Sequence, residues 1–277
     1  ENCNIFLYID PYGIKALQCS LFDEFAQGHF NSIELLINLN SFGFIREACH
    51  ALGTTFDDTT LFADLVEYEP TRMDASEKSI SELNEIAGGD YWKPIIVAYK
   101  KGEIDGYDAE ALFAEKYCMR LRKSYKYVLN MPLRIKKGQR PKYRLIHATN
   151  HRDGCLLMVD NICNRWEALQ EIQSGGQMQL WAENFDNQAV DEDDIEEKTI
   201  LHFSQYNCLT SLHDALAMFF MNYGPICSTG CVKKILKGLE EDKRLLVLRN
   251  PDYTSRGKKT AFMTEGKGQK ISVRWIR

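Results

Sequence analysis

The residues with the clearest chemical potential stand near the start of the chain, in the stretch IFLYIDPYGIKAL. An apolar run over residues 5–9 is rich in β-favouring types and ends at Asp10, Pro11 and Tyr12. The pattern predicts a short buried strand with a polar tip. The Asp carboxylate and the following carbonyl, held rigid by Pro, can accept hydrogen bonds from the exocyclic amine of a nucleobase. The aromatic ring of Tyr can stack on the same base. An ordinary Asp-Pro-x-Gly turn, with Gly13 at positive φ, is the alternative interpretation.

A strand–helix–strand unit is predicted to position this tip. Apolar residues at helical spacing follow the DPYG stretch, and SIELLINLN (residues 32–40) indicates a second buried strand. Ligands of such units bind at the carboxyl ends of the parallel strands. Asn38 and Asn40 are therefore expected at the same edge as Asp10. Arg46 lies just beyond the second strand and could reach the same edge as Asp10. The equal alternative is that Arg46 forms a buried ion pair.

The remaining patterns complete an α/β fold. Residues 41–124 show helical periodicity and predict a helical insertion. Strands at 125–135 and 142–152 flank the basic turn KKGQRP and predict an antiparallel hairpin. A helix follows, which closes a first domain over residues 1–172.

A second domain is predicted at the C-terminal end of the chain. Residues 173–198 are rich in acidic side chains, Gly and Gln, and are interpreted as a linker. Residues 199–277 show two amphipathic helices followed by two strands around a basic hairpin. This order is typical of a winged helix-turn-helix domain.

A basic segment, residues 115–144, holds eleven Lys or Arg against one acid, interleaved with four tyrosines. Such a mixture favours phosphate contact combined with base stacking, and a solvated helix face is the alternative. The residues predicted to contact nucleic acid here are Arg120, Arg122, Lys123, Lys126, Arg134, Lys136, Lys137, Arg140 and Lys142.

Charge is also segregated toward the C-terminus. Residues 231–277 contain 13 basic and 5 acidic side chains, although the whole chain has a formal net charge of −5. A winged helix would place one helix in a groove and its wing on the nucleic-acid backbone, and docking to a protein is the alternative. The predicted contacts are Lys233, Lys234 and Lys237 on the helix, with Arg256, Lys258 and Lys259 on the wing.

Composition excludes several classes of protein. No run approaches the roughly 18 apolar residues that span a bilayer, and the N-terminus lacks a secretory signal pattern, so a cytoplasmic protein without membrane contact is predicted. The nine scattered cysteines suggest reduced thiols that serve as small buried apolar side chains. No ligand pattern indicates a metal site, and His147 and His151 flank ATN on a strand, where their spacing favours structural roles.

The order of these elements resembles the C-terminal half of a Rossmann-like class I methyltransferase, in which a strand ends in the catalytic motif D/N-P-P-Y/F and an antiparallel hairpin closes the sheet. The resemblance implies that Asp10, Pro11 and Tyr12 are catalytic and that Asp10 also borders the cofactor, S-adenosylmethionine. It also implies that the rest of the cofactor half lies upstream of residue 1.

Four stretches resemble a narrower family, the bacterial three-Cys-motif partner proteins: FLYIDPYGIKAL, IELLINLNSFGFIRE, YRLIHATNHRDGCLLMVDNI and GPICSTGCVKKILKGLEEDKRLLVLRNP. This resemblance implies a methyltransferase-like domain, a winged-helix tail and a partner protein with three cysteines. We expect action on DNA or RNA in a bacterial defence or modification system.

Two departures from the methyltransferase pattern keep a second hypothesis open. A single proline follows Asp10 where amino-methyltransferases have two, and no GxGxxG or GxG turn joins a strand to a helix. The alternative function is therefore a catalytically degenerate fold that serves as a nucleic-acid-binding or partner-docking subunit.

Overall fold

The computed structural model describes residues 3–11, 13–56, 77–133, 143–173, 192–266 and 268–276. Contacts divide the chain into two compact units, and the division falls between Asn150 and His151. The predicted α/β class is confirmed, because unit 1 contains a mixed four-stranded sheet with helices. In the described ranges, no helix combines the length and the apolar character that a membrane span requires.

The sheet of unit 1 contains β1 (Asn4–Ile9), β2 (Ser32–Leu39), β3 (Tyr127–Leu133) and β4 (Tyr143–Thr149). Its strand order is β1-β2-β4-β3. β1 and β2 run parallel, whereas β4 is antiparallel to both of its neighbours. The predicted parallel pair and the predicted antiparallel hairpin are both confirmed.

β1 departs from the expectation of a buried strand. It lies at one edge of the described sheet, and its side chains alternate between half-buried and exposed positions. Phe6 is 55% exposed and Tyr8 is 57% exposed, both on the same face. The residue types predict the strand correctly, but edge position rather than residue type decides how much of it is buried.

The helices of unit 1 pack against the apolar face of β2, where Ile33, Leu35, Ile37 and Leu39 are buried. In the same core, Phe44 and Phe113 stack with ring centroids 3.9 Å apart. The described part of the predicted insertion is helical, and residues 57–76 lie outside the described ranges. The helices are α1 (Cys19–Gln27), α2 (Ser41–Ala51), α3 (Glu77–Ala87), α4 (Trp92–Lys100) and α5 (Gly106–Leu121), with a short 3-10 helix at Lys15–Leu17.

In its described residues, unit 2 contains four helices and a small antiparallel sheet of order β5-β7-β6. The predicted pair of helices and the following hairpin are observed in the predicted order. The elements are α6 (Arg152–Gln173), α7 (Glu192–Phe203), β5 (Thr210–Ser211), α8 (Leu212–Tyr223), α9 (Thr229–Glu241), β6 (Leu245–Asn250) and β7 (Lys270–Trp275).

The domain boundaries differ from those predicted. α6 was assigned to the first domain, but it belongs to unit 2, where it packs against α8 and α9. Residues 174–191 of the predicted linker lie outside the described residues, and α7 already begins at Glu192. The acidic composition of residues 192–197 therefore reflects the first turns of a helix.

All nine cysteines carry free thiols in the structure. Three of them, Cys3, Cys208 and Cys231, are exposed. The prediction of buried thiols is confirmed for the other six, which are Cys19, Cys49, Cys118, Cys155, Cys163 and Cys227.

Candidate functional site

The structure brings Asp10 and Asn38 together at the carboxyl ends of β1 and β2. Asn38 Nδ2 donates a hydrogen bond of 2.8 Å to Asp10 Oδ1. The parallel register, in which Ile9 faces Ile37, explains this contact, because the next residue of β1 falls beside Asn38 on the same face. Asp10 is exposed, so its carboxylate is accessible to a ligand.

Tyr8 is a neighbour of Asp10. Its pKa is raised, first by partial desolvation and then by the charge of the nearby Asp10 carboxylate. The two side chains lie on one face because they are two residues apart on a strand. We call Tyr8, Asp10 and Asn38 the Asp10 site. Asn38 orients the carboxylate, and its exposed part can accept a hydrogen bond from an amine.

The other residues predicted at this edge have different positions. Asn40 is the N-cap of α2, and its Oδ1 accepts a 2.9 Å hydrogen bond from the Gly43 N–H. This capping role occupies the side chain that was predicted to face a substrate. Arg46 is half-buried in α2.

The tip of β1 is partly described. Pro11 is half-buried, and Gly13 has a φ of 94°, the positive value expected of the turn. Tyr12, the predicted stacking residue, lies outside the described residues.

A buried ion pair lies at the same end of the sheet. Arg144 of β4 pairs with Leu39, the last residue of β2, and its guanidinium binds Glu110 of α5 in a bidentate manner at 2.5 and 2.8 Å. Ser41 Oγ donates to the same carboxylate at 2.5 Å, and Arg144 also donates to Asn130 Oδ1 at 3.2 Å. Glu110 is 1% exposed. The cluster thus ties the start of α2 to α5 and to the hairpin.

The basic segment is not one continuous cationic surface. Arg120 binds both carboxylate oxygens of Asp23 and donates from Nε to the Gly88 carbonyl at 3.2 Å, so its charge is used inside unit 1. Arg122, Lys123 and Lys126 are exposed. The other predicted contacts of this segment, Arg134, Lys136, Lys137, Arg140 and Lys142, lie outside the described residues.

The predicted aromatic stacking by this segment is wrong for three of its tyrosines. Tyr117, Tyr125 and Tyr127 are each at most 1% exposed. The Tyr117 hydroxyl donates to the Leu17 carbonyl at 2.7 Å, and the Tyr125 hydroxyl donates to the Phe22 carbonyl at 2.8 Å. These rings pack in the protein interior and are closed to nucleotide bases.

The Asp23 contacts predict a specific acid sensitivity. Burial alone would raise the pKa of Asp23, but hydrogen bonds from Arg120 and Ser124 more than offset it, so the pKa lies below its ordinary value. A carboxyl with a lowered folded-state pKa stabilises the fold above its unfolded pKa of about 4 and loses that contribution as the pH falls through the folded value. We expect Asp23→Asn to be less stable than the parent at neutral pH and to lose less stability on acidification.

Urea denaturation at neutral pH and below pH of about 4 measures this effect. Asp90→Asn is the matched control, because the side chain of Asp90 is 77% exposed and makes a long 3.9 Å contact with Lys93. The same acid response in the parent and in Asp23→Asn would contradict the prediction.

The histidines that flank the ATN stretch have separate environments. His147 is buried in β4 with Nε2 3.1 Å from Glu34 Oε2, whereas His151 is exposed. Within the described residues, no group of three or more His, Cys, Asp or Glu side chains has an arrangement that could hold a metal ion.

Unit 2 presents exposed cations on α9 and on the loop between β6 and β7. Lys234 and Lys237 are exposed, whereas Lys233 is half-buried. Burial lowers the pKa of Lys233, and the carboxylates of Asp160 and Glu265 oppose that shift. Arg256, Lys258 and Lys259, in the loop between β6 and β7, are all exposed.

A polar network that sequence reasoning missed joins α6, α8 and the loop between β6 and β7. Arg152 donates to Asp214 Oδ2 at 2.8 Å and to Glu265 Oε2 at 3.4 Å. His213 Nδ1 lies 2.6 Å from Asp153 Oδ1, and its Nε2 accepts the backbone N–H of Glu265 at 3.4 Å. These partners are more than 50 residues apart in sequence, so no local pattern could reveal them.

Comparison with family models, curated proteins and solved structures finds no match for this chain. The site and the fold geometry are therefore the basis for the functional proposal.

Proposed function

We propose that this protein is a methyltransferase-like protein that acts on nucleic acid. The observation that carries the proposal is the sheet of unit 1, in which β1 and β2 are parallel and a closing antiparallel hairpin follows. This is the arrangement on which the resemblance to a class I methyltransferase depends. Asp10 stands at the carboxyl end of β1, where ligands of such sheets bind.

The architecture of unit 2 supports nucleic acid as the substrate class. Two helices, α8 and α9, precede a β-hairpin of β6 and β7, and β7 also pairs with the short β5. This order fits a winged helix, with α9 as the helix that enters a groove and the β6–β7 loop as the wing. Exposed cations on both elements supply the charge that phosphates require.

In this proposal Asp10 recognises an exocyclic amine of a nucleobase. Its carboxylate is already oriented by the hydrogen bond from Asn38, so it can accept a further hydrogen bond at little ordering cost. Pro11 restricts the backbone beside it, and Tyr12 is the residue proposed to stack on the base.

The described residues do not form a complete site for S-adenosylmethionine. The fold holds that cofactor on a glycine-rich turn between a strand and a helix, and the sequence has no such turn. Asp10 would contribute only one border, so no step of methyl transfer follows from these residues. A degenerate fold that binds nucleic acid or docks a three-Cys-motif partner in a bacterial defence system is therefore the second candidate.

Two measurements on the full-length protein separate the candidates. Calorimetry with S-adenosylmethionine should show binding if the protein is an active methyltransferase, and nucleic-acid binding without cofactor binding would favour the degenerate fold. In the active case Asp10→Ala should abolish methyl transfer, whereas Asp90→Ala, an exposed change elsewhere in unit 1, should leave it intact. Full methyl transfer by Asp10→Ala would remove Asp10 from the mechanism.

A further inference from the structure

The outward face of α9 has an unusual composition for a helix that contacts nucleic acid. Its buried face is formed by Val232, Leu236 and Leu239. The exposed residues, which we call the α9 face, are Gly230, Cys231, Lys234, Lys237, Gly238 and Glu241. Two of these are cations, and both glycines allow close approach of a polymer to the helix backbone.

The α9 face lacks the planar side chains that form rigid paired hydrogen bonds with one base. In the major groove these are Arg, Asn and Gln, whereas Lys and Glu can also contact base edges. The structure describes α9 from Thr229 to Glu241, and Arg, Asn and Gln do not occur in it.

The remaining polar side chains of α9 are mostly committed within unit 2. Thr229 Oγ1 and its backbone N–H donate to Asp160 at 2.9 and 2.8 Å. Glu240 accepts two 2.6 Å hydrogen bonds from Arg249. Lys233 is half-buried near Asp160, which leaves Lys234 and Lys237 as the exposed cations of the helix.

Lysine can contact a guanine, but it is well suited to phosphate. Its ammonium group is a compact charge on a flexible stem, without the rigid planar fork of Arg, and it binds phosphate as a point charge. Lys234 and Lys237 are three residues apart, so they lie on the same side of the helix one turn from each other. They can contact successive phosphates whatever the base sequence.

We propose that unit 2 binds double-stranded DNA through its phosphates and does not read base sequence. This inference rests on the proposed function, because it takes nucleic acid as the partner and names its form. DNA is favoured over duplex RNA because the major groove of B-form DNA, about 12 Å wide, admits a helix, whereas that of A-form RNA is deep and narrow.

Fluorescence anisotropy with labelled duplexes of equal length and unrelated sequence tests the inference on the full chain. We expect the dissociation constants of the duplexes to agree within about threefold. The logarithm of the binding constant should fall linearly with the logarithm of the salt concentration, and the gradient of that line is the salt slope. Lys234→Ala/Lys237→Ala should reduce the salt slope by about 1.8, since each lost phosphate contact removes about 0.9. Lys100→Ala/Lys101→Ala, two exposed lysines of unit 1, is the matched control and should leave the slope unchanged.

The outcomes distinguish this inference from the proposed function. A preference of more than about tenfold for one duplex sequence would overturn sequence-independent binding while nucleic-acid action stands. Tighter binding to duplex RNA or to single strands would overturn the assignment to DNA. No binding to any nucleic acid would overturn the proposed function itself.

Cys231 provides a second test that reports the position of the polymer. It is exposed on the α9 face, and Cys3 and Cys208 are exposed outside that helix. Saturating duplex should cause loss of maleimide modification at Cys231, with Cys3 and Cys208 as internal references in the same sample. Unchanged modification of Cys231 while DNA is bound would show that α9 is not the docking element.

Discussion

Replacing Glu110 by Gln is expected to destabilise unit 1 by about 3–5 kcal/mol, the usual cost of removing one member of a buried ion pair. Glu110 is 1% exposed, and its carboxylate accepts hydrogen bonds from Arg144 Nε and Nη2 and from Ser41. The amide of Gln offers one acceptor and places an NH₂ group against donors. Arg144 then keeps a buried charge without a counterion, and this uncompensated charge dominates the loss.

Native-state hydrogen exchange of the β2 and β4 amides measures the effect within unit 1, and urea denaturation measures it for the whole chain. Glu115→Gln is the matched control, because Glu115 lies on the exposed face of the same helix. The combination Glu110→Leu/Arg144→Met should recover most of the lost stability, since two apolar side chains leave no unpaired charge. A double variant no more stable than Glu110→Gln would contradict this account.

The Glu110–Arg144 ion pair lies near the strand end that carries the Asp10 site. Ser41, which donates to Glu110, directly follows the Asn40 cap of α2 and stands three residues after Asn38. Loss of the Glu110 carboxylate is therefore expected to loosen the start of α2, whereas Asn38 itself remains held in β2 between its two neighbouring strands.

The parts of unit 1 that the sequence predicts are those with local signals. The apolar run of β1 and the alternation of β2 specify strands, and the helix between them requires the parallel pairing that places Asp10 beside Asn38. The hairpin of β3 and β4 is also local. The elements that pack against β1, by contrast, depend on the order of strands in the whole sheet. The exposure of Phe6 and Tyr8 therefore cannot be predicted from the residues of β1 alone.

The basic segment shows where counting charges misleads. In α5 the buried positions include Phe113 and Tyr117, which are four residues apart on one helix face, so periodicity already indicates that Tyr117 faces inward. Glu110 lies on that same face, and a carboxylate at an apolar position indicates a buried partner. The identity of the partner, Arg144, depends on tertiary packing across 34 residues and could not be predicted.

Replacing Arg256, Lys258 and Lys259 together with Ala is expected to reduce the salt slope of nucleic-acid binding by about 2.7, because three phosphate contacts are lost. The three side chains are exposed on an ordered turn, in which the Thr254 N–H donates to the Lys258 carbonyl at 2.8 Å. Gly257 has a φ of 71°, which lets the chain reverse between Arg256 and Lys258.

The ordered turn matters because cations fixed in position lose less conformational entropy on binding than cations on a flexible tail. The affinity of the triple variant should fall most at low salt, where counterion release contributes most to binding. Titrations at several salt concentrations measure this against a control triple, Lys78→Ala/Lys100→Ala/Lys101→Ala, which removes equal charge from exposed positions of unit 1. Equal losses of affinity in both triple variants would show that the effect depends on net charge alone. Unchanged affinity of the variant in the β6–β7 loop would identify that loop as a surface for a protein partner.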